Sequence, residues 1–500
     1  MTLNVWLPLI IVCSSLLPGI IIFFLSENAI RTRTVLNLMG AVLKLVLVAF
    51  VYLGYRSGEV YLFTFQVTVD LHFMLRVDAL ALLFAGLSSV LWLVTTIYAI
   101  GYLEGSPNRR RFFGFFSMCV TASTGIALSG NLVTFFVFYE FLTLATYPLV
   151  VHRGTRKAVE AGRNYLFYTI GGGTVLFVGI VALTVLAGPV EFGQGAQLAN
   201  FIEGHSLELK LIFWMMLAGL AVKAAIFPFH GWLPVAMVAP APVSALLHAV
   251  AVVKAGAFGI IRLVYDVYGV ELASELSVLP PLAVFAAFTI IYGSLRAISQ
   301  DDLKKRLAYS TVSQLSYIAL GAAVPGMLSS VGAIVHLVHQ GIMKITLFFC
   351  AGVIAETTGA HKVSELNGIG RRLPLTMAAF TIGALGMIGL PPVAGFVSKW
   401  YLSVGALSSG QSWVVLILLG SSALNAIYFL PIIFAAWFKE PPVEAWPDKR
   451  PNRRFEAPWM LLFPPLVTAI FSLAAGLFAA SSWSPLSLAR RIVERVYFGL

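Results

Sequence analysis

The chain has 500 residues, of which 59% are hydrophobic and only 11% charged, with a mean hydropathy of +0.90. A soluble domain covers its surface with about 25% charged residues, so this composition excludes an ordinary water-soluble enzyme and describes one polytopic membrane body. The formal net charge of +11 sits in short connections between apolar runs, which points to membrane topology and anionic lipid, with no nucleic acid as partner. Cys13, Cys119 and Cys350 each fall inside an apolar run, so they offer neither a disulfide framework nor a metal-binding pair.

Apolar runs of about 20 residues predict an all-α protein of about fourteen transmembrane helices, near 5–25, 35–55, 79–101, 112–129, 131–151, 164–187, 207–228, 246–265, 278–298, 305–324, 328–354, 374–406, 411–438 and 457–480. The first has no basic flank or small-residue cleavage site and is expected to stay as a helix. Residues 60–75 alternate and are rich in Val, Phe and Thr, which predicts a short extramembrane hairpin. Lys and Arg collect after odd-numbered spans: Arg31 and Arg33, Arg109 to Arg111, Arg153 to Arg163, Arg296 to Arg306, Lys362 to Arg372, and Lys439 to Arg454. Connections after even-numbered spans carry little beyond Arg56, Arg76, Lys210 and Arg262. The positive-inside rule then makes the odd connections cytoplasmic and both termini external, although Arg490, Arg491 and Arg495 run against it.

Two spans are interrupted, at Phe227–Pro234 and at Gly389–Pro392, where backbone carbonyls lose their helical partners. The breaks lie five spans apart. An odd offset inverts a segment in the membrane, which predicts two inverted five-helix repeats with two broken helices. The expected units are 1–111 (three helices and the hairpin), 112–268 (first repeat, helices four to eight), 276–438 (second repeat, helices nine to thirteen) and 439–500 (a cytoplasmic loop, the last helix and a basic tail).

A charge at mid-bilayer costs at least about 2.5–3.5 kcal/mol, so each ionisable residue inside a span must face protein, water or a partner. The set is Lys44, Glu140, Lys223, Lys254, Lys344 and Lys399, with His248, His336 and His339. Glu140 has no Lys or Arg within a helical turn, so its partner must come from another helix. Lys223, just before the first break, is the natural candidate, because a buried carboxylate and ammonium offset each other's desolvation. A structural ion pair has the same sequence signature; chemistry is favoured because a desolvated lysine changes pKa readily as a nearby carboxylate moves. Lys254 follows His248 by six residues, about 600° round a continuous helix and hence on a different face. His336 and His339 share one face, with Lys344 about 80° from His336. Imidazole accepts and donates near neutral pH, which suits a shuttle, and no third ligand at a recognisable spacing argues for a metal. Lys399, seven positions after Pro392, is expected to be the mirror counterpart of Lys223. Lys44 has no partner that the sequence names. Ser310, Thr311, Ser313, Gln314 and Ser316, with Thr143 and Thr146, serve equally well as helix-packing contacts or as anchors for a water chain.

The segments Asn131–Glu140, Lys223–Pro234, Ala239–His248 leading to Lys254, Asp301–Gln314 and Gly389–Lys399 resemble the proton-conducting antiporter-like membrane subunits of respiratory complex I, membrane-bound hydrogenases and multisubunit Mrp cation/proton antiporters. The resemblance implies a proton path in the membrane plane through Glu140, Lys223, Lys254, His336, His339, Lys344 and Lys399. It also implies other membrane subunits as partners, protons and, in an exchanger, Na+ as the transported ions, and a bacterial inner membrane as the location. Within the family, Lys399 stands where the M-type subunits of complex I usually carry Glu. The L-type subunits of complex I and the A-type subunits of Mrp antiporters add long C-terminal extensions, so the Mrp D type fits best, followed by complex I or hydrogenase membrane arms. The L-type pattern has two histidines four apart on span eleven; here they are three apart, with Gln340 in the fourth place. No nucleotide motif, flavin site or cysteine cluster is present, so no cofactor is expected and the energy source must lie in other subunits or in an ion gradient. A non-conducting scaffold and a lone organic-solute transporter remain open on the sequence.

Overall fold

The computed structural model describes residues 3–68, 71–193, 195–441, 446 and 455–499. Several helix starts are fixed by their own sequence: Asp78, Asn131, Thr155 and Asp302 each accept a hydrogen bond from the amide three residues on, satisfying one of the donors that a helix start leaves open. The helices are α1 (Leu3–Phe24), α2 (Ile30–Arg56), α3 (Ala79–Tyr102), α4 (Arg109–Leu128), α5 (Leu132–Val150), α6 (Arg156–Ala187), α7 (Ile202–Ala224), α8 (Trp232–Val235), α9 (Ala241–Ala249), α10 (Val252–Ile261), α11 (Val270–Glu275), α12 (Leu279–Ile298), α13 (Leu303–Ala323), α14 (Met327–Thr358), α15 (Ile369–Arg372), α16 (Pro374–Ile388), α17 (Ala394–Ser408), α18 (Ser412–Phe438), α19 (Trp459–Leu477) and α20 (Pro485–Arg491). An antiparallel hairpin, β1 (Leu62–Gln66) with β2 (His72–Arg76), joins α2 to α3 in the alternating stretch.

Among the described residues, 11 helical runs are long and apolar enough to cross a membrane. The chain is a multi-pass helical membrane protein. Its axis is α14, buried from Ser329 to Thr358 apart from Ala355 and Glu356, and packed against α9, α13, α16, α17 and α19. The outer helices α2, α6 and α18 turn Val46 and Phe50, Phe167 and Val185, and Leu416 and Leu419 outward. Such continuous apolar faces suit hydrocarbon and not water.

The connections gather at two ends. At one, Glu27 accepts from the Arg109 and Arg110 amides, Arg111 donates to the His152 carbonyl, Lys304 to the Ala239 carbonyl, and Asp302 bridges to Lys362. At the other, Asn131 pairs with His72 and Glu191, Arg262 with Asp78, Tyr265 with Ser330, and Tyr497 with Asp266. Connections after odd-numbered spans therefore share one end, and those after even-numbered spans share the other.

Three expectations need correction. Thr155 caps α6 early, so Arg156, Lys157 and Arg163 lie in its first turns instead of in a connection. Arg262, expected in an external loop, is buried in a π-helical turn, 2.8 Å from Asp78 and 2.9 Å from Asp266. The eighth span is not continuous: it breaks at Val250–Ala251, between α9 and α10. Neither Gly nor Pro marks that break. The basic residues Lys449, Arg450, Arg453 and Arg454 lie outside the described residues.

Candidate functional site

Helix α7 ends at Ala224, and the next residue, Ala225, takes a left-handed conformation with φ 56°. Lys223, buried in that last turn, lies 3.8 Å from the Glu140 carboxylate on α5. Its ammonium also donates to the Tyr139 carbonyl and sits 3.4 Å from the centroid of the Tyr139 ring. Gly173 on α6 leaves room for the carboxylate, since a Cβ there would collide with Glu140 Oε1. Glu140 keeps 25% of its side chain exposed, against 1% for Lys223.

Lys254 opens the second half of the broken eighth span. Gly256, two residues on, lets α10 meet the end of α7 backbone to backbone; a Cβ there would lie 2.7 Å from the Lys223 carbonyl carbon. The Lys254 ammonium crosses to α14 and donates to the Leu337 carbonyl at 2.7 Å. His248, in the first half, stacks on Phe348 of the same α14 with ring centroids 4.4 Å apart. The two were expected on different faces. A phase count assumes one continuous helix, and the break resets it so that both address α14.

On α14 the three ionisable residues diverge. His336 Nδ1 lies 2.8 Å from Ser398 Oγ on α17, and its ring stacks on Tyr317. His339 is fully buried, and its ring nitrogens make no hydrogen bond among the described residues. Lys344 turns to α13, where it donates to Ser310 Oγ and to the Leu307 carbonyl. The structure thus joins His336 to the α17 segment carrying Lys399 and does not join Lys344 to either histidine.

Lys399 reaches back across the second break. Its ammonium donates to the Met387 carbonyl at 3.0 Å, the Ile388 carbonyl at 2.9 Å and Ser422 Oγ at 2.9 Å, beneath the Tyr317 ring. Those are terminal carbonyls of α16, the negative end of a helix dipole. Gly389, at φ 94°, makes the turn, and a side chain there would strike the Lys399 stem. The mirror relation to Lys223 does not hold in register: Lys223 comes two residues before left-handed Ala225, whereas Lys399 comes ten after left-handed Gly389. Both nevertheless place an ammonium at the carboxyl end of a broken half-helix.

A helical membrane protein whose interior lysines are held against broken spans by carbonyls, hydroxyls and one carboxylate is the class that this fold and site define. The chain belongs to the family described as NADH:quinone oxidoreductase/Mrp antiporter, transmembrane, which it matches over residues 129–425; residues 64–113 match the complex I chain 5 N-terminus. NADH-quinone oxidoreductase subunit N of Desulforudis audaxviator is 38% identical over 397 residues, covering 77% of this chain and 78% of that protein. A probable K(+)/H(+) antiporter protein of Rhizobium meliloti, of the A/B type, is 30% identical, covering 83% of this chain and 41% of that protein. A putative antiporter subunit of Staphylococcus aureus, mnhA2, is 29% identical over 81% of this chain and 52% of its own length, so the chain spans about half the length of these antiporter relatives. In fold it is similar to a chain of the Mrp complex from Dietzia (TM-score 0.84, 24% identity, 99% and 98% covered) and to one of an archaeal membrane-bound sulfane sulfur reductase (TM-score 0.85, 23% identity, 99% and 98% covered).

Proposed function

We propose that this chain is a proton-translocating, antiporter-like subunit that works inside a multisubunit membrane complex. The observation that carries the proposal is the Glu140–Lys223 pair, a carboxylate and an ammonium 3.8 Å apart at the end of a broken helix. In this reading Lys223 holds a proton while Glu140 is near and passes it toward Lys254 when that attraction weakens. His336 and Ser398 then connect Lys254's helix contact to Lys399, the terminal carrier of the second half, while His339 and Lys344 tune the field along α14. The shared ends of the odd and even connections support fourteen crossings with both termini external, and the paired breaks support the two inverted repeats.

The full-length fold match to an Mrp complex chain favours exchange of protons against a monovalent cation such as Na+ in a bacterial inner membrane. The 38% identity to a quinone oxidoreductase subunit N favours a second reading, a membrane arm driven by redox subunits elsewhere. The test is proton-coupled flux in everted vesicles carrying the whole complex. Glu140→Gln and Lys223→Met are each expected to stop it with the complex assembled; undiminished flux in either would remove the proposal. Dependence of that flux on added Na+ or on a quinone reductant separates the two complexes.

A further inference from the structure

Lys44 takes no part in the path above, yet it is fully buried on α2, whose outer face is turned outward along most of its length. Its ammonium donates to Ser15 Oγ of α1 at 2.6 Å and to Thr124 Oγ1 of α4 at 2.8 Å, 5.0 Å from the Trp92 ring centroid. No carboxylate lies within ion-pair distance of it among the described residues. An ammonium that needed only neutralisation would be served by an acid. Hydroxyls do something else: each can accept a proton and donate another.

These hydroxyls continue in both directions. Toward the end of the molecule where the odd connections meet, Ser15 lies 2.8 Å from Thr121 Oγ1, one turn of α4 leads to Ser117, and Ser117 bonds Asn37 at 3.4 Å. Asn37 in turn bonds the carbonyl of Arg33, whose side chain meets the half-exposed Glu27. Toward the interior, Ser123, next to Thr124, donates to the Val250 carbonyl at 3.2 Å. That carbonyl belongs to the break that separates α9 from the α10 half-helix bearing Lys254. Asn37, Ser117, Thr121, Ser15, Lys44, Ser123 and Thr124 are all buried. A buried polar column therefore runs between α1, α2 and α4 from one rim to the break beside Lys254.

We propose that Lys44 is a proton-loading site on a feeder that supplies protons from the Glu27 rim, through this column, to the Lys254 segment. It rests on the transport function proposed above and adds an entry route through helices outside both repeats. The reaction is proton transfer alone: Lys44 accepts a proton from the Ser15 side and releases one on the Thr124 side, with no net change in the protein.

The test uses the complete complex in everted vesicles, with Lys44→Met, which keeps the length and removes the proton, and Lys44→Arg, which keeps a charge that cannot leave. Both are expected to assemble at parental abundance and to lower proton-coupled flux by about tenfold or more, the scale on which a lost proton-transfer group is felt. Parental flux in Lys44→Met would make the lysine dispensable, and parental flux in Lys44→Arg would make it a fixed charge; either overturns the proposal. If Lys44→Met fails to assemble, Ser15→Ala with Thr124→Val removes both acceptors and keeps the lysine, and parental flux there overturns it equally. Glu140→Gln runs beside them. Flux lost in Glu140→Gln and kept in the Lys44 variants sinks the feeder alone, whereas flux kept in Glu140→Gln sinks the transport function beneath it.

Discussion

Glu140 and Lys223 can be removed singly or together, and the structure sets how the three variants should differ in stability. Two unit charges 3.8 Å apart attract by about 4 kcal/mol at an effective dielectric of 20. Removing one partner of a buried pair costs about 3–5 kcal/mol, chiefly because the other charge is left uncompensated. The two partners are not equally buried, at 25% and 1% side-chain exposure, so the cost should be unequal. Glu140→Gln strands an enclosed ammonium and should cost about 3 kcal/mol. Lys223→Met strands a carboxylate that retains outward access and should cost about 1–2 kcal/mol after that discount. The double variant strands nothing and should return to within about 1 kcal/mol of the parent. Denaturation of the purified complex in graded SDS, read at this chain, gives the coupling energy from the four proteins. A coupling below about 0.5 kcal/mol would mean that the two charges do not act as a pair. In everted vesicles both single variants and the double should be inactive, and Glu140→Asp should keep partial flux because the charge persists with a shorter reach. Flux surviving in the double variant would make the pair structural and leave this chain the role of a scaffold.

Lys399→Ala should abolish proton-coupled flux, and Lys399→Arg should abolish it too, since guanidinium can still bond the Met387 and Ile388 carbonyls but cannot release a proton; full flux in the Arg variant would leave Lys399 only a fixed charge. A cysteine replacing Arg110 should be labelled from the cytoplasmic side only and one replacing Glu203 from outside only, and labelling of the first from outside would invert the proposed topology. In the connection after α5, burial, with Arg111 and Arg153 nearby, pushes His152 down to about 4. The unfolded chain then takes up the proton first, so this histidine's contribution is intact above the ordinary value of about 6.5 and is lost as the pH falls from there toward about 4. His152→Gln should flatten the pH dependence of SDS denaturation in that window, and an unchanged profile would remove the histidine from it.

Helices were legible in the sequence wherever hydropathy or a cap residue announced them, and the hairpin at β1 and β2 was legible from alternation alone. The breaks at Phe227–Pro234 and Gly389–Pro392 were legible because proline and glycine mark lost helical partners. The break at Val250–Ala251 was not, because it is made by apolar residues whose backbone is bent by tertiary packing; its freed carbonyl is taken by Ser123, 127 positions away. That single omission misplaced His248 relative to Lys254. The Glu140–Lys223 partnership was accessible by elimination, since one carboxylate needed a cation from elsewhere. The room that Gly173 leaves for it, the Leu337 carbonyl under Lys254 and the Ser398 link to His336 depend on which helix faces cross, and no local pattern encodes those.

The register mismatch between Lys223 and Lys399 bears on how such a site is maintained. If the two halves relied on a lysine at one fixed repeat position, an ammonium ten residues past the second turn would fall in the wrong place. It does not, because a lysine side chain spans more than a helical turn and Gly389 leaves the Lys399 stem free to fold back over the break. What the two halves share is the destination, a carboxyl-terminal half-helix end with unpaired carbonyls and a partial negative charge. Those carbonyls hold an ammonium without fixing it there as a second full charge would, and only the first half adds a carboxylate that can strengthen or weaken the hold. Asymmetry of this kind is expected of a path with a direction: the half containing Glu140 can be switched by whatever moves that carboxylate, while the half containing Lys399 responds only to the charge that reaches it.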